Sequence, residues 1–242
     1  MKIILSVLLV AGTMTSAQAG WLDRLLKPSS TNQSSVAAAL TSDEMTGGLK
    51  EALANGVQHA VRELGKPDGF LKNLDVKIPM PKSLHTVEKT LRAVKQDKMA
   101  DEFVATLNRA AEQAVPEAAD VFADSIRQMT VTDAKNILTG PNDSATQYFR
   151  KTSEEKLREK FRPIVTKATG AVGVTASYKN LLQQAGPAAS LLGAEAGDLD
   201  GYITQKSLDG LFKMIAGEEK RIRENPVART TDLLKKVFGA GK

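Results

Sequence analysis

The chain contains no cysteine. Disulfides, thiol nucleophiles and cysteine-ligated metal centres are therefore excluded, and packing and hydrogen bonds must hold the fold together. Histidine is nearly as scarce. His59 and His85 each stand alone, without a second imidazole at metal-ligand spacing. Aromatic residues make up only 5% of the chain. Val, Ile and Thr rarely fall into alternating runs, so the pattern expected of half-buried strands is missing. There is no Gly-x-Ser-x-Gly elbow, no phosphate-binding loop and no dinucleotide fingerprint; Gly170-Ala171-Val172-Gly173 is only a Gly-x-x-Gly fragment. No apolar run reaches bilayer-spanning length. Net charge is only +5 over 242 residues. That excess suits anionic surfaces or acidic partners better than nucleic acid, which is not expected as a partner.

Ala, Leu, Lys, Glu and Gln dominate instead, and they favour helix. The first residues carry a targeting signal. Met1-Lys2 is followed by the apolar run Ile3 to Ala11 and by Ala17-Gln18-Ala19, an A-x-A cleavage pattern. We expect a cleaved signal peptide over 1–19, a mature chain starting at Gly20 with net charge +4, and a periplasmic or secreted location. Residues 20–40 then form an N-terminal segment and a flexible linker. Trp21, Leu22, Leu25 and Leu26 could anchor a partner or cap the core.

A helical domain is expected over 41–239. Thr41-Ser42-Asp43-Glu44 is a capping box, and Met45, Leu49, Leu53, Val57, Val61 and Leu64 follow at helical spacing. Gly65 caps the end, and Pro67-Asp68-Gly69 reads as a turn in which Gly permits a positive φ. Asp75 to Pro81 reads as an extended strap, because Pro79 and Pro81 forbid a central strand. Further helices carry Leu84, Val87, Leu91 and Val94, then Met99, Phe103, Leu107 and Ala110, then Phe122, Ile126 and Met129. A short helix ends at Leu138 before Gly140-Pro141. The next runs from Asn142 or Asp143 to about Phe161, where Pro163 kinks it or starts another. A break is expected near Gly170 to Gly173, and 185–197 reads as a loop. Asp198-Leu199-Asp200-Gly201 resembles the start of a calcium loop, but Tyr202 and Ile203 occupy the wrong places; Asp200 reads better as a helix N-cap. Gly217 should break that helix, and Asn225-Pro226 should open the last one. The fold class is all-α, a single compact multi-helix domain of about nine or ten helices.

The chemistry that remains is concentrated between Asn108 and Arg150. Glu112 with Glu117, or Asp120 with Asp124, could work as acid and base. Arg109 and Glu112 are three apart and share a helix face. Asn108, Arg109, Glu112, Gln147, Tyr148 and Arg150 are the candidate ligand-binding residues. A structural polar network that fixes helix register is the competing reading. Neither cofactor nor metal is expected.

The motifs Lys66-Pro67-Asp68-Gly69-Phe70, Asn108-Arg109-Ala110-Ala111-Glu112, Val115-Pro116-Glu117-Ala118, Ala145-Thr146-Gln147-Tyr148-Phe149-Arg150 and Asn225-Pro226-Val227-Ala228-Arg229-Thr230-Thr231-Asp232 resemble those of the bacterial family catalogued as domain of unknown function 4197. The resemblance runs from about Thr41 to Gly239. It implies an exported, predominantly helical protein of the Gram-negative envelope, and it brings no catalytic residues with it. Three readings stay open. The first is a non-catalytic binding or scaffold module whose partner is an envelope protein or lipid. The second is a carrier enclosing a lipid between helices with many Ala and Gly positions. The third is an acid–base enzyme centred on Glu112, with Arg109 and Tyr148 beside it.

Overall fold

The computed structural model describes residues 41–171, 173–185 and 193–225. The expected signal peptide, the 20–40 segment, most of the 185–197 loop and the helix after Asn225 lie outside them. The described residues fall within one compact unit and contain helices and no strand.

Helix α1 (Ser42–Gly65) opens on the expected capping box. The Thr41 hydroxyl accepts from the Glu44 amide, and the Glu44 carboxylate accepts from the Thr41 amide. A connector then leads to α2 (His85–Ala93) and α3 (Asp97–Ala114). A short 3-10 turn holding Pro116 joins α3 to α4 (Ala118–Gln128). Next comes α5 (Val131–Thr139), capped by a second box between Thr130 and Asp133. The long helices α6 (Ser144–Ala171) and α9 (Leu199–Glu224) flank α7 (Gly173–Ala185) and the single turn α8 (Ala194–Gly197).

The core sits where α6 and α9 pack on each other, with α1, α3 and α4 around them. Their apolar stripes meet at Phe122, Phe149 and Phe212. Phe122 stands edge-on to Phe149 at 4.9 Å and to Phe212 at 6.1 Å between ring centres. Offset or edge-on rings are the favoured geometry because the ring face is negative and its edge positive. Phe70 comes from the connector and is fully buried. It reaches α9 at Gly210, where an added Cβ would stand 2.8 Å from Phe70 Cε1 and 3.2 Å from Val76 Cβ. The small residue there is what lets the connector lie flat on α9.

Several local expectations are corrected. The expected count of nine or ten helices is not matched element by element. Pro163 neither starts a helix nor ends one: α6 continues through it. Pro163 is exposed, and so is Glu159, whose carbonyl loses its helical partner and can be solvated. Gly217 does not break α9, because tertiary contacts on both sides outweigh the roughly 1 kcal/mol that Gly costs a helix. Asp198, not Asp200, caps α9, with its side chain accepting from the Gly201 amide at 2.9 Å. At the first turn the positive φ belongs to Asp68, at 65°. Gly69 is needed for a different reason: a Cβ there would lie 2.5 Å from the Glu63 carbonyl oxygen and 2.6 Å from that of Leu64.

Candidate functional site

The connector between α1 and α2 makes no ladder with any strand, so its buried amides need other acceptors. Two side chains on α3 serve this purpose. Asn108 and Glu112 are four apart and therefore lie on one stripe of the helix. Asn108 is fully buried. Its Oδ1 accepts from the Ile78 amide at 2.8 Å, and its Nδ2 donates to the Ile78 carbonyl at 2.9 Å and to the Val104 carbonyl at 2.8 Å. The pair of bonds to Ile78 imitates the contact a neighbouring strand would make, and it seats Val76, Ile78 and Met80 in the core.

Glu112 does the same for the preceding turn. Its Oε1 accepts from the amides of Phe70 at 3.0 Å and Leu71 at 3.2 Å, and its Oε2 from Asp68 at 3.2 Å. A carboxylate accepting several backbone N–H groups is a strong, charge-assisted arrangement. It holds Asp68 in its left-handed conformation and Phe70 in the core. Lys72 pairs with Asp68 at 2.8 Å on the outside of the same turn.

Arg109 does not pair with Glu112, contrary to the i,i+3 expectation. It is exposed and makes no hydrogen bond or ion pair with any described residue. One step along the helix is about 100° of rotation, which carries Arg109 off the buried stripe of Asn108 and Glu112. It lines an open cleft of about 490 Å³ with Gly65, Pro67, Asp68, Glu112 and Gln113.

Gln147, Tyr148 and Arg150 do not line that cleft. Gln147 donates to Asp143 at 2.9 Å. The Tyr148 hydroxyl donates to the Ser125 carbonyl at 2.9 Å, and burial, helped by the Asp133 charge, raises its pKa. The Arg150 guanidinium lies 4.3 Å from the centre of the Phe212 ring and 3.4 Å from Glu154. Tyr148 ties α6 to α4 and Arg150 ties it to α9, Gln147 bonds within its own first turn, and none of the three forms one site with α3. Neither alternative carboxylate pair forms a buried acid–base couple: Glu112 is buried in the clamp while Glu117 is exposed and pairs with Lys160 at 3.5 Å, and Asp120 and Asp124 are both exposed, with Asp124 paired to Arg127.

Two buried polar centres were not recognised in the sequence. Glu219 on α9 accepts from the Ala145 and Thr146 amides at 3.0 and 2.9 Å, so an acidic side chain caps the positive N-terminal end of α6. Arg223 pairs with Glu219 at 2.9 Å and donates to the Ile137 carbonyl near the end of α5. Asp200 accepts from Thr166 at 2.9 Å, Thr169 at 2.8 Å and Lys179 at 2.8 Å, joining α6, α7 and α9. Burial acts to raise its pKa, but the bonds from Lys179, Thr169 and Thr166 win and hold it below the usual aspartate value. The i,i+4 pair Glu219–Arg223 was the available sequence signal for the first; in the second, Asp200 stood out only as a helix cap and nothing marked Thr166, Thr169 and Lys179 as its partners. Among the described residues no three His, Asp or Glu side chains are grouped to hold a metal.

The sequence profile described as protein of unknown function DUF4197 matches residues 39–239. The chain belongs to the DUF4197 family. No curated protein and no solved structure matches it. In this DUF4197 chain, the Lys66–Phe70 and Asn108–Glu112 motifs meet in space. Turn and helix are the two halves of a single backbone clamp.

Proposed function

We propose that this chain is a non-catalytic binding module of the bacterial cell envelope, and that the cleft beside Arg109 is its ligand-contacting surface. The observation that carries the reading is how the candidate residues are employed. Asn108 and both carboxylate oxygens of Glu112 are engaged by backbone groups, so Glu112 is already occupied in holding the turn at 68–71. Arg109 is the candidate that faces open space with no partner among the described residues. A planar guanidinium with five donors takes a carboxylate or phosphate through two parallel bonds, so an acidic group is the chemistry this cleft suits. The envelope part rests on the signal pattern at 1–19. A carrier is less well supported, because the space beside Gly210 in the core is filled by Phe70 and Val76.

The reading is tested in two steps. Osmotic-shock fractionation with N-terminal sequencing should recover a chain that starts at Gly20. A two-dimensional NMR titration with a short acidic peptide should move the Arg109 and Gln113 signals, and Arg109→Ala should abolish those shifts. Because Arg109 is exposed and unpaired, Arg109→Ala should change stability by less than about 0.5 kcal/mol. Shifts that survive Arg109→Ala would sink the cleft assignment. Substrate turnover lost in a fully folded Glu112→Gln variant would restore the enzyme.

A further inference from the structure

Helix α2 is patterned like a core helix, yet none of its residues is buried. Val87, Leu91 and Val94 recur at spacings of four and three, which makes one apolar stripe. Leu91 leans against the core. Val87 is 51% exposed and Val94 60% exposed. Lys95 then takes a positive φ of 61° to close the turn into α3, and Met99 follows, 44% exposed. The tip of this helical hairpin therefore presents apolar side chains that no described residue covers.

The charges around the tip are sorted. Glu88, Asp97 and Asp101 all converge on Arg92, at 3.0, 3.5 and 2.9 Å. That cluster sets three carboxylates against one guanidinium, keeps a net charge of −2, and ties α2 to α3. Lys82, Lys89, Lys95 and Lys98 are exposed and make no ion pair with any described residue. Glu102 is the remaining acid in this stretch. The hairpin thus shows exposed Val and Met among lysines without an ion pair to any described residue, while Glu88, Asp97 and Asp101 gather on the side of Arg92 and stay in contact with solvent. Lysine stems can lie along acyl chains while their ammonium groups stay at the phosphates.

We propose that the α2–α3 hairpin docks on an anionic phospholipid surface. Val94 and Met99 enter the headgroup region, and Lys95 and Lys98 pair with lipid phosphates. This surface is separate from the Arg109 cleft and does not depend on it.

The absence of native cysteine gives a direct test. Val94→Cys in the chain from Gly20 to Lys242, labelled with an environment-sensitive dye, should shift to the blue on vesicles of phosphatidylglycerol and phosphatidylcholine. The same dye at Asn136→Cys on α5 should not. In the same chain, Lys95→Gln with Lys98→Gln should weaken partitioning onto those vesicles by about 30-fold at low salt, from roughly 1 kcal/mol per lysine near an anionic surface. Residues 20–40 are common to the two chains compared, so their contribution cancels. A silent dye at Val94→Cys overturns the proposal. So does equal partitioning onto pure phosphatidylcholine, or a double Gln variant that partitions like the parent. A hairpin that instead mediates a concentration-dependent dimer, with no vesicle binding, also overturns it.

Discussion

Removing the Glu112 carboxylate should unfasten the turn that it holds. In Glu112→Ala the amides of Asp68, Phe70 and Leu71 lose their acceptor. The Phe70 bond is buried, and the other two are partly buried, so water can replace some of what is lost. A hydrogen bond to a charged group contributes about 1.5–3 kcal/mol, and partial rehydration of two of the three leaves a net cost of about 3–4 kcal/mol. For a domain of this size that is a fall in Tm of about 6–16 °C. Glu112→Gln is the more discriminating change. Its carbonyl oxygen can still accept from Phe70 and Leu71, but its amide nitrogen then faces the Asp68 N–H, donor against donor. It should cost about half as much and leave Phe70 seated. Urea unfolding measures the totals. Amide hydrogen exchange measures the site, with faster exchange at all three amides in Glu112→Ala and chiefly at Asp68 in Glu112→Gln. If Glu112→Ala leaves both the urea midpoint and those exchange rates unchanged, the clamp is not what positions this turn. That result would return Glu112 to the pool of chemically available carboxylates.

Gly69→Ala should destabilise by about 2–3 kcal/mol, since the new Cβ would press on two backbone carbonyls that cannot rotate away, and an unchanged urea midpoint would refute that close approach. Asp200→Asn should cost about 2–3 kcal/mol, at the low end for a broken ion pair because Lys179 is 23% exposed. The pH dependence follows from the depressed pKa of Asp200. An unfolded aspartate titrates near ~3.9, the folded one lower, so the unfolded chain binds the proton first. The contribution is present above about pH 4 and lost as pH falls below it, so stability measured from pH 6 to pH 3 should fall less in Asp200→Asn than in the parent.

Local signals in the chain were decisive where the physics is local. A capping box needs only Thr41 and Glu44 three residues apart, and it forms as read. Apolar spacing placed Leu49, Leu53, Phe103, Leu107 and Phe122 in the core, because helical period decides which side chains share a face. Of the strap expected at Asp75 to Pro81, the part from Lys77 was legible because proline restricts φ and removes a donor; Asp75 and Val76 instead belong to a turn closed on the Asn73 carbonyl. The motifs at Lys66–Phe70 and Asn108–Glu112 were legible as motifs, and membership of the DUF4197 family bears out the resemblance they carried.

What those motifs are for was decided only in three dimensions. Arg109 and Glu112 look like a salt-bridged pair along the chain. The packing of α3 turns Glu112 toward three backbone amides and leaves Arg109 facing a cleft. The reason is that a buried N–H must find an acceptor wherever the fold brings one, and sequence separation says nothing of which acceptor arrives. Asp200 and Asp198 show the same limit. Either could cap α9; contact with Thr166, Thr169 and Lys179, far away in sequence, draws Asp200 inward and leaves the cap to Asp198. By itself the sequence determined the all-helical class, the Thr41 capping box and the inward faces of α1, α3 and α4, which depend on residues within a turn or two. The tertiary structure alone decided which polar groups are saturated and which remain open, because that depends on partners tens of residues away.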